Sequence, residues 1–170
     1  KFETPPTSIA DLMGPELEGR VSLWDDKSTI YIGARMLGYT DEEVFALTDA
    51  ELEEVRAQLI SVKPNIRKFW SSAGELVNLY ATGEVWASNT WGGYQIALLA
   101  EEGLEAREFI PTEGVDGWMD VWQIVKGTEN LDCAYQFLEM TLAEEGQCGQ
   151  VAVNGYAPTN PVATVECLSQ

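Results

Sequence analysis

The chain contains no histidine, and this absence excludes several kinds of site. It also has only three cysteines among its 170 residues, none of them in a C-x-x-C spacing. Catalytic triads that use histidine and zinc sites that contain histidine are therefore excluded. The cysteine spacing argues against a zinc knuckle or a thioredoxin-type redox centre. We expect no metal, no cofactor and no catalytic residues.

Positive charge is also scarce in this chain. Ten Lys and Arg stand against 28 Asp and Glu, which gives a formal net charge of −18. Such a chain repels nucleic acid and anionic membranes and favours cationic ligands, although most of its acids serve to solvate the surface. No apolar run approaches membrane-spanning length, and the sequence opens K-F-E-T-P-P without a signal peptide, so we expect a soluble chain.

Apolar residues are abundant and are arranged with clear periodicity. They make up 45% of the chain, including six Trp, six Tyr and five Phe, which is enough for one domain with a real core. The periodicity predicts strands at 20–24, 66–70, 84–89, 105–110 and 118–125, and helices at 28–37, 48–62, 72–83, 94–102, 130–142 and 144–153. This alternation predicts an α/β fold, with a parallel or mixed sheet covered by helices on both faces.

The stretch 113–124, E-G-V-D-G-W-M-D-V-W-Q-I, carries aromatic and acidic residues at alternating positions. In a strand, residues two apart point to the same face, so Trp118, Asp120 and Trp122 would share one. An indole ring and a carboxylate both attract an organic cation. Taken alone, however, the stretch fits two core tryptophans beside a solvated aspartate better.

Seven stretches follow one another along the chain in a familiar order. They are T-S-I-A-D-L with E-L-E-G-R-V-S-L-W-D-D, A-R-M-L-G-Y, Q-L-I-S-V-K-P-N-I, G-E-V-W-A-S-N-T-W-G-G, P-T-E-G-V-D-G-W-M-D, N-L-D-C-A-Y-Q-F-L-E-M-T-L and N-G-Y-A-P-T-N-P-V-A. In this order and spacing they resemble the spermidine/putrescine-binding group of the extracellular solute-binding proteins of ABC transporters. The resemblance implies a type II periplasmic-binding-protein-like lobe with a mixed sheet, and a periplasmic or extracellular location.

The resemblance also predicts how the chain is organised. Family members trap their ligand in a cleft between two α/β lobes. Residues 1–118 resemble the second lobe, and residues 119–170 resemble the segment that returns to the first lobe. Residues 1–170 would thus form a single, partial α/β domain that lacks most of the first lobe and the closing segment, so we expect weaker binding than a complete cleft would give.

Candidate ligand-binding residues follow from the family motifs. Trp118 and Asp120 match the family's W-x-D, in which the ring packs on polyamine methylenes and the carboxylate takes an ammonium. Trp91 matches the second aromatic wall, and Asp26 matches the acid after the first strand of this lobe. Thr29 stands where polyamine binders can carry another acid, which favours a diamine-type cation over a long polyamine.

Each of these assignments has a structural alternative. Trp91 and Trp118 are equally well explained as core aromatics, and Asp26 as a helix N-cap. Thr29 and Glu113 are candidates for the rim of the site, although Glu113 fits a turn residue that accepts a backbone N–H better. The tryptophans that nothing in the resemblance marks, and that we assign to packing, are Trp86 and Trp122.

The cysteines have two interpretations. Cys133 and Cys167 match a pair found in part of the family, so the resemblance implies a disulfide Cys133–Cys167, as suits an oxidising periplasm. Cys148 would then be a free, buried thiol. The alternative is three reduced, buried cysteines.

Three functions are compared. The leading hypothesis is capture of a small cationic solute such as putrescine or spermidine, by the substrate-binding component of an ABC importer or a fragment of it, with the transporter's membrane subunits as partners. The second is a stand-alone interaction domain that forms a homodimer through an exposed cleft face. The third is a hydrolase that uses Glu113 and Asp120 as paired carboxylates. We expect a binding protein and not an enzyme.

Overall fold

The computed structural model describes residue 2 and residues 4–168. The chain divides into two compact units, residues 1–117 and residues 118–170. We call them the first unit and the second unit.

A three-stranded parallel sheet forms the centre of the first unit. Strand β1 is Val21–Trp24, β2 is Ile66–Trp70 and β3 is Ala87–Ser88, and their spatial order is β2-β1-β3. Trp24 pairs with Trp70 at the ends of β1 and β2. Because the strands are parallel, their carboxyl ends lie at one edge of the sheet, where ligands of α/β proteins usually bind.

Four helices connect and cover these strands: α1 Ser28–Met36, α2 Asp49–Val62, α3 Ala73–Ala81 and α4 Gly93–Glu101. Helix α2 begins at a capping box, in which Thr48 and Glu51 each accept the other's backbone N–H. Helices α1 and α2 approach closely at Gly33, where a Cβ would lie 2.9 Å from Cγ of Leu59. Any larger residue at Gly33 would push the two helices apart.

An apolar cluster packs on each face of the sheet. On one face, Val21 and Leu23 of β1 pack with Leu17 and Ala87, and the partly buried Ile32 of α1 covers them. The other face carries a second cluster, which contains Trp70, Leu76, Leu79 and Val85. The predicted α/β fold with helices on both faces is confirmed.

Trp86 lies beside the first of these clusters. It is partly buried and packs against the cluster, while the guanidinium carbon of Arg20 lies 4.9 Å from the centre of its ring. These contacts agree with its assignment to packing.

The second unit is helical, with α5 Leu131–Leu142, α6 Glu144–Asn154 and α7 Pro161–Leu168. Buried Gln147 of α6 connects α6 to α5 and to the loop before α7 through hydrogen bonds. Its Nε2 donates to the carbonyl of Thr141 at 3.0 Å, and its Oε1 accepts the N–H of Thr159 at 2.8 Å. One side chain therefore satisfies backbone groups at the end of α5 and in the loop before α7.

Two of the five predicted strands are wrong. Residues 105–110 and 118–125 form neither helix nor strand. The only sheet in the described part of the chain contains β1, β2 and β3, so no neighbouring strand supplies the backbone hydrogen bonds that these segments would need. The strand expected at 84–89 is present but is confined to Ala87–Ser88.

The predicted disulfide is also wrong. Cys148 of α6 is bonded to Cys167 of α7, with a Cα–Cα distance of 5.2 Å, and the free cysteine is the exposed Cys133 of α5. Helices α6 and α7 pack against each other. This packing brings the two backbones within the range that a disulfide requires, and the predicted free, buried thiol at Cys148 is excluded.

Candidate functional site

Three tryptophans gather at the carboxyl edge of the sheet. Trp24 and Trp70 are the last residues of β1 and β2, and Trp91 lies in the loop between β3 and α4. Trp24 stacks on Trp70 with ring centres 5.6 Å apart, and Trp91 meets both rings edge-on at 5.4 and 5.2 Å. Trp70 is fully buried, whereas Trp24 and Trp91 are partly buried. We call these three residues the tryptophan cluster.

Hydrogen bonds from the end of β3 hold this cluster in place. Oδ1 of Asn89 accepts the backbone N–H of Trp24 at 2.8 Å. The indole N–H of Trp70 donates to Oγ of Ser88 at 3.0 Å. Asn89, which directly follows β3, thereby holds the backbone at Trp24, and Ser88 of β3 holds the ring of Trp70.

The loop that carries Trp91 is fixed separately. Its backbone N–H donates to Oε1 of the fully buried Gln95 at 2.6 Å, and Gly92 adopts φ 101° and ψ −157°, a conformation that favours glycine. Three buried polar atoms near the start of α1 and α4 have no hydrogen-bond partner among the described residues: Ser28 Oγ, Trp91 Nε1 and Gln95 Nε2. Leaving these buried groups unpaired costs free energy at this edge of the sheet.

Asp26 follows β1 at the same edge. Its Oδ1 accepts the N–H of Ser28 at 2.9 Å, so it does cap the start of α1. No other side-chain hydrogen bond of Asp26 occurs in the part of the chain that the structure describes, and the residue is half-exposed. The capping role and a ligand-binding role are therefore compatible.

The structure does not support the two rim assignments. Thr29 is buried, and its hydroxyl donates to the carbonyl of Trp24 at 2.6 Å, so it joins β1 to α1 and does not face solvent. Glu113 accepts the hydroxyl of Ser8 at 2.5 Å and the backbone N–H of Ile9 at 3.1 Å. Burial raises the pKa of Glu113, but these hydrogen bonds outweigh burial and bring it below its usual value. It ties the chain near residue 113 to the N-terminal segment.

Arg35 of α1 is a further structural residue that the sequence did not reveal. It is only 4% exposed, and its guanidinium forms ion pairs with Asp41 and, at 2.9 Å, with Asp116, and donates to the carbonyl of Glu113 at 3.0 Å. Gly114, at φ 91°, passes so close that a Cβ there would lie 3.0 Å from Nη1 of Arg35. Arg35 therefore fixes the segment that ends at residue 117.

The second unit carries the W-x-D pair on an exposed segment. Trp118 is 57% exposed and meets Tyr156 edge-on, with ring centres 6.1 Å apart, and Asp120 is exposed. Trp122 is 58% exposed and meets Phe137 edge-on at 5.1 Å. Trp118 is thus not a core residue, and exposure does not distinguish it from Trp122.

The four predicted ligand-binding residues belong to two units. Asp26 and Trp91 lie at the carboxyl edge of the sheet in the first unit, whereas Trp118 and Asp120 lie in the second unit. Their convergence on one cleft stays a prediction. The sequence patterns did not place Trp24 and Trp70 beside Trp91 in the tryptophan cluster, although each is the last residue of a predicted strand.

Neither a membrane-spanning helix nor a metal site is found in the described residues. None of their helices is long and apolar enough to cross a membrane. Within the same residues, no three or more Cys, Asp or Glu side chains are grouped so that they would hold a metal ion.

Comparison with known proteins gives concordant matches. The family model described as bacterial extracellular solute-binding protein matches residues 1–166. The spermidine/putrescine-binding periplasmic protein of Escherichia coli is 29% identical over 165 residues, which are 96% of this chain and 45% of that protein. The putrescine-binding periplasmic protein of the same species is 35% identical over 89 residues, 49% of this chain and 24% of that protein.

Solved structures show the same fold. A putative spermidine/putrescine ABC transporter from Listeria monocytogenes superposes with a TM-score of 0.77 and 25% identity, over 96% of this chain and 50% of that one. The spermidine/putrescine substrate-binding protein of Streptococcus pneumoniae gives 0.70 and 22%, over 95% and 49%. The predicted type II periplasmic-binding-protein fold is confirmed. The chain spans about half the length of these structures and less than half that of the curated relatives.

Proposed function

The chain belongs to the family of bacterial extracellular solute-binding proteins, and on this premise we propose that it binds a small organic cation such as putrescine or spermidine. The family consists of binding proteins and not of enzymes, which confirms the expectation of a binding protein. Its members are extracellular, which confirms the expected periplasmic or extracellular location. We further propose that the chain acts as the substrate-binding component of an ABC importer, or as part of one, with the membrane subunits as partners.

The observation that carries this proposal is the tryptophan cluster beside Asp26. Indole faces attract cations through their negative quadrupole, and a carboxylate accepts hydrogen bonds from an ammonium group. The partly buried Trp24 and Trp91 supply the rings, and Asp26 supplies a carboxylate with one oxygen free of hydrogen bonds within the described residues. The chain's net charge of −18 favours the approach of a cation.

Trp118 and Asp120 are proposed as the second group of ligand contacts. Both are accessible in the second unit. An ammonium–carboxylate hydrogen bond contributes about 1.5–3 kcal/mol, and a desolvated cation–π contact about 2 kcal/mol. Two of each, after ordering costs, support roughly micromolar affinity. One ammonium–carboxylate hydrogen bond with one cation–π contact supports only about millimolar affinity.

The assignment of the two units to family lobes is also a proposal. We propose that the first unit corresponds to the second lobe of the relatives, and that the second unit corresponds to the segment that returns to their first lobe. The division between Gly117 and Trp118 is consistent with this assignment. The known relatives that the chain matches are about twice its length or longer, so a second ligand-binding wall would come from residues outside this chain.

Calorimetry tests the proposed ligand class. Putrescine titrated into the chain at low ionic strength should give saturable heat with a dissociation constant of about 1 mM or lower. The uncharged isostere 1,4-butanediol is the matched control and should give only heat of dilution. Equal heats for the two compounds, or heats equal to the buffer blank, would contradict the proposal.

The homodimer hypothesis keeps one supporting observation. Apolar side chains of the second unit are exposed, including Met119 at 72% and Val121 at 63%. Such surface favours association. The homodimer remains a prediction, which light scattering on the purified chain tests: a single species of 18.8 kDa would exclude it.

The hydrolase hypothesis is excluded by the family and receives no support from Glu113. A general acid of a glycosidase needs a raised carboxyl pKa. Hydrogen bonds bring the pKa of Glu113 below its usual value even though burial opposes them. Glu113 therefore acts as a structural hydrogen-bond acceptor.

A further inference from the structure

A second concave surface of the first unit lies away from the tryptophan cluster. It is a groove of about 430 Å³ between α1, α2 and β2. Neither Asp26 nor any residue of the tryptophan cluster lines it. Its volume falls within the range of small-molecule sites, which are commonly a few hundred Å³ and mostly apolar. We call it the α2 groove.

The walls of the α2 groove are apolar. Leu23 of β1 and Val55 of α2 form buried parts of its lining, whereas Ile30, Ile60 and Phe69 are exposed around it. Exposed apolar residues that border a concave surface in this way are characteristic of ligand-binding grooves. The shape and lining suit an alkyl chain.

The charge of the groove is opposite to that of the chain. Arg56 and Lys63 both line it, and no Asp or Glu does, although the chain has 28 acids and only ten basic residues. Arg56 lies in α2 and Lys63 directly follows its last residue, so the two are seven positions apart, on either side of Ile60 in sequence. Arg56 pairs with Glu53 at 3.4 Å on the surface, and Lys63 has no ion pair in the part of the chain that the structure describes. Lys63 is therefore available to an anionic group.

We propose that the α2 groove binds a single-chain carboxylate amphiphile, with its alkyl tail among the apolar walls and its carboxylate paired with Lys63 and Arg56. The charge complementarity selects an anionic head, and the groove volume of about 430 Å³ and its apolar lining suit a single alkyl tail. The α2 groove shares no lining residue with the proposed cation site, so the two binding proposals can succeed or fail separately.

Calorimetry with decanoate below its micelle concentration tests this proposal. Decanoate should bind saturably, and decanamide, which has the same tail and an uncharged head of similar size, should bind at least tenfold more weakly. Each methylene added from octanoate to decanoate should tighten binding by about fourfold. No saturable binding of decanoate, or equal binding of the two head groups, would overturn the proposal.

Charge-reversal variants separate the groove from the chain's overall charge. Lys63→Glu should weaken decanoate binding at least tenfold, whereas Lys126→Glu, which makes the same change of net charge at an exposed lysine of the second unit, should alter it less than twofold. Circular dichroism verifies that both variants fold. Equal effects of the two substitutions would contradict the proposal, as would binding to anionic phospholipid vesicles in the absence of any binding to free decanoate.

Discussion

Arg35 shows how one buried charge fixes a segment that has no regular secondary structure. Residues 111–117 form neither helix nor strand, so their backbone groups lack sheet partners. Arg35 contacts this segment twice, through the carbonyl of Glu113 and the carboxylate of Asp116, and it contacts Asp41 as well. Arg35 therefore holds the last residues of the first unit against α1.

Loss of the Arg35 guanidinium should destabilise the first unit. Arg35→Gln leaves Asp116 and the carbonyl of Glu113 without their partner, and the unfolding free energy should fall by about 2–3 kcal/mol. Urea denaturation followed by tryptophan fluorescence measures this change. Arg56→Gln is the matched control, because its pair with Glu53 is exposed and is worth less than about 1 kcal/mol. Equal losses in the two variants would contradict the structural role of Arg35.

At the scale of elements, the sequence correctly predicted the segments in which the apolar periodicity and the available hydrogen-bond partners favour the same secondary structure. Helix α2 has a capping box and an apolar stripe, and it forms as expected. Residues 118–125 alternate as a strand should, yet alternation specifies only which side chains share a face, whereas a strand also needs a neighbour. The prediction failed because periodicity carries no information about that neighbour.

Helix α7 was missed although its start is marked in the sequence. Asn160 and Pro161 are residue types common in turns and loops, so periodicity predicts no helix beyond residue 153. Proline is favoured at the first helical position, and Oδ1 of Asn160 accepts the N–H of Val162 at 3.0 Å as an N-cap does. The pair Asn-Pro thus starts a helix here.

The contact between β2 and α3 should make stability depend on acid. Glu75 pairs with Lys68 and accepts the N–H of Ser71, and these contacts lower the pKa of Glu75 from 4.5 to about 2. Since the folded pKa is depressed, this stabilisation is present above pH 4.5 and is lost as the pH falls to about 2. The thermal midpoint of Glu75→Gln should therefore decline less steeply over that window than that of the wild type.

Lys68→Gln provides the control for the acid dependence. It removes the largest cause of the pKa shift and leaves Ser71 in place. Its thermal midpoint should show an intermediate slope between pH 4.5 and pH 2 when followed by circular dichroism. If the thermal midpoints of the wild type, Glu75→Gln and Lys68→Gln declined equally steeply with falling pH, the contact between Glu75 and Lys68 would not contribute to the acid dependence of stability.

The disulfide between α6 and α7 gives a direct chemical prediction. Cys148 and Cys167 are bonded and Cys133 is exposed, so alkylation without reductant should add one label per chain. Alkylation after reduction in denaturant should add three. Intact mass measures both, and three labels without reductant would contradict the bond. The sequence could not predict this pairing, because spacing alone does not determine which cysteines are brought together by helix packing.

At the scale of the whole molecule, negative charge is the dominant property. Carboxylates outnumber basic residues by 28 to ten, and self-repulsion of such an excess destabilises the folded state. Raising sodium chloride from about 20 mM to about 500 mM shortens the Debye length from roughly 20 Å to about 4 Å. We therefore expect the thermal midpoint to rise by a few degrees.

Potassium chloride separates general screening from specific binding of sodium. At equal ionic strength it should raise the thermal midpoint as sodium chloride does, because screening depends on charge and concentration. A midpoint that falls with added salt would mean that attractive ion pairs outweigh the repulsion.

The family and the fold were predictable because seven motifs recur in order across nearly the whole chain. The membership of the tryptophan cluster could not be predicted, since it depends on which strands are adjacent in the sheet. Trp24 and Trp70 come together only because β1 and β2 pair in parallel and end at the same edge. The family motifs marked Trp91 as a candidate ligand-binding residue. Strand pairing places Trp24 and Trp70 in contact with it.

Titration of putrescine into the wild-type chain and into Asp120→Asn tests the central claim most directly. Asp120 is exposed, so its substitution removes a carboxylate without disturbing a core. Saturable heat should appear for the wild type, and the affinity of Asp120→Asn should be about tenfold lower, which corresponds to the loss of one charged hydrogen bond of ~1.4 kcal/mol. Equal affinities in the two proteins, or no heat above the buffer blank for the wild type at millimolar putrescine, would contradict a cation site that includes the W-x-D pair.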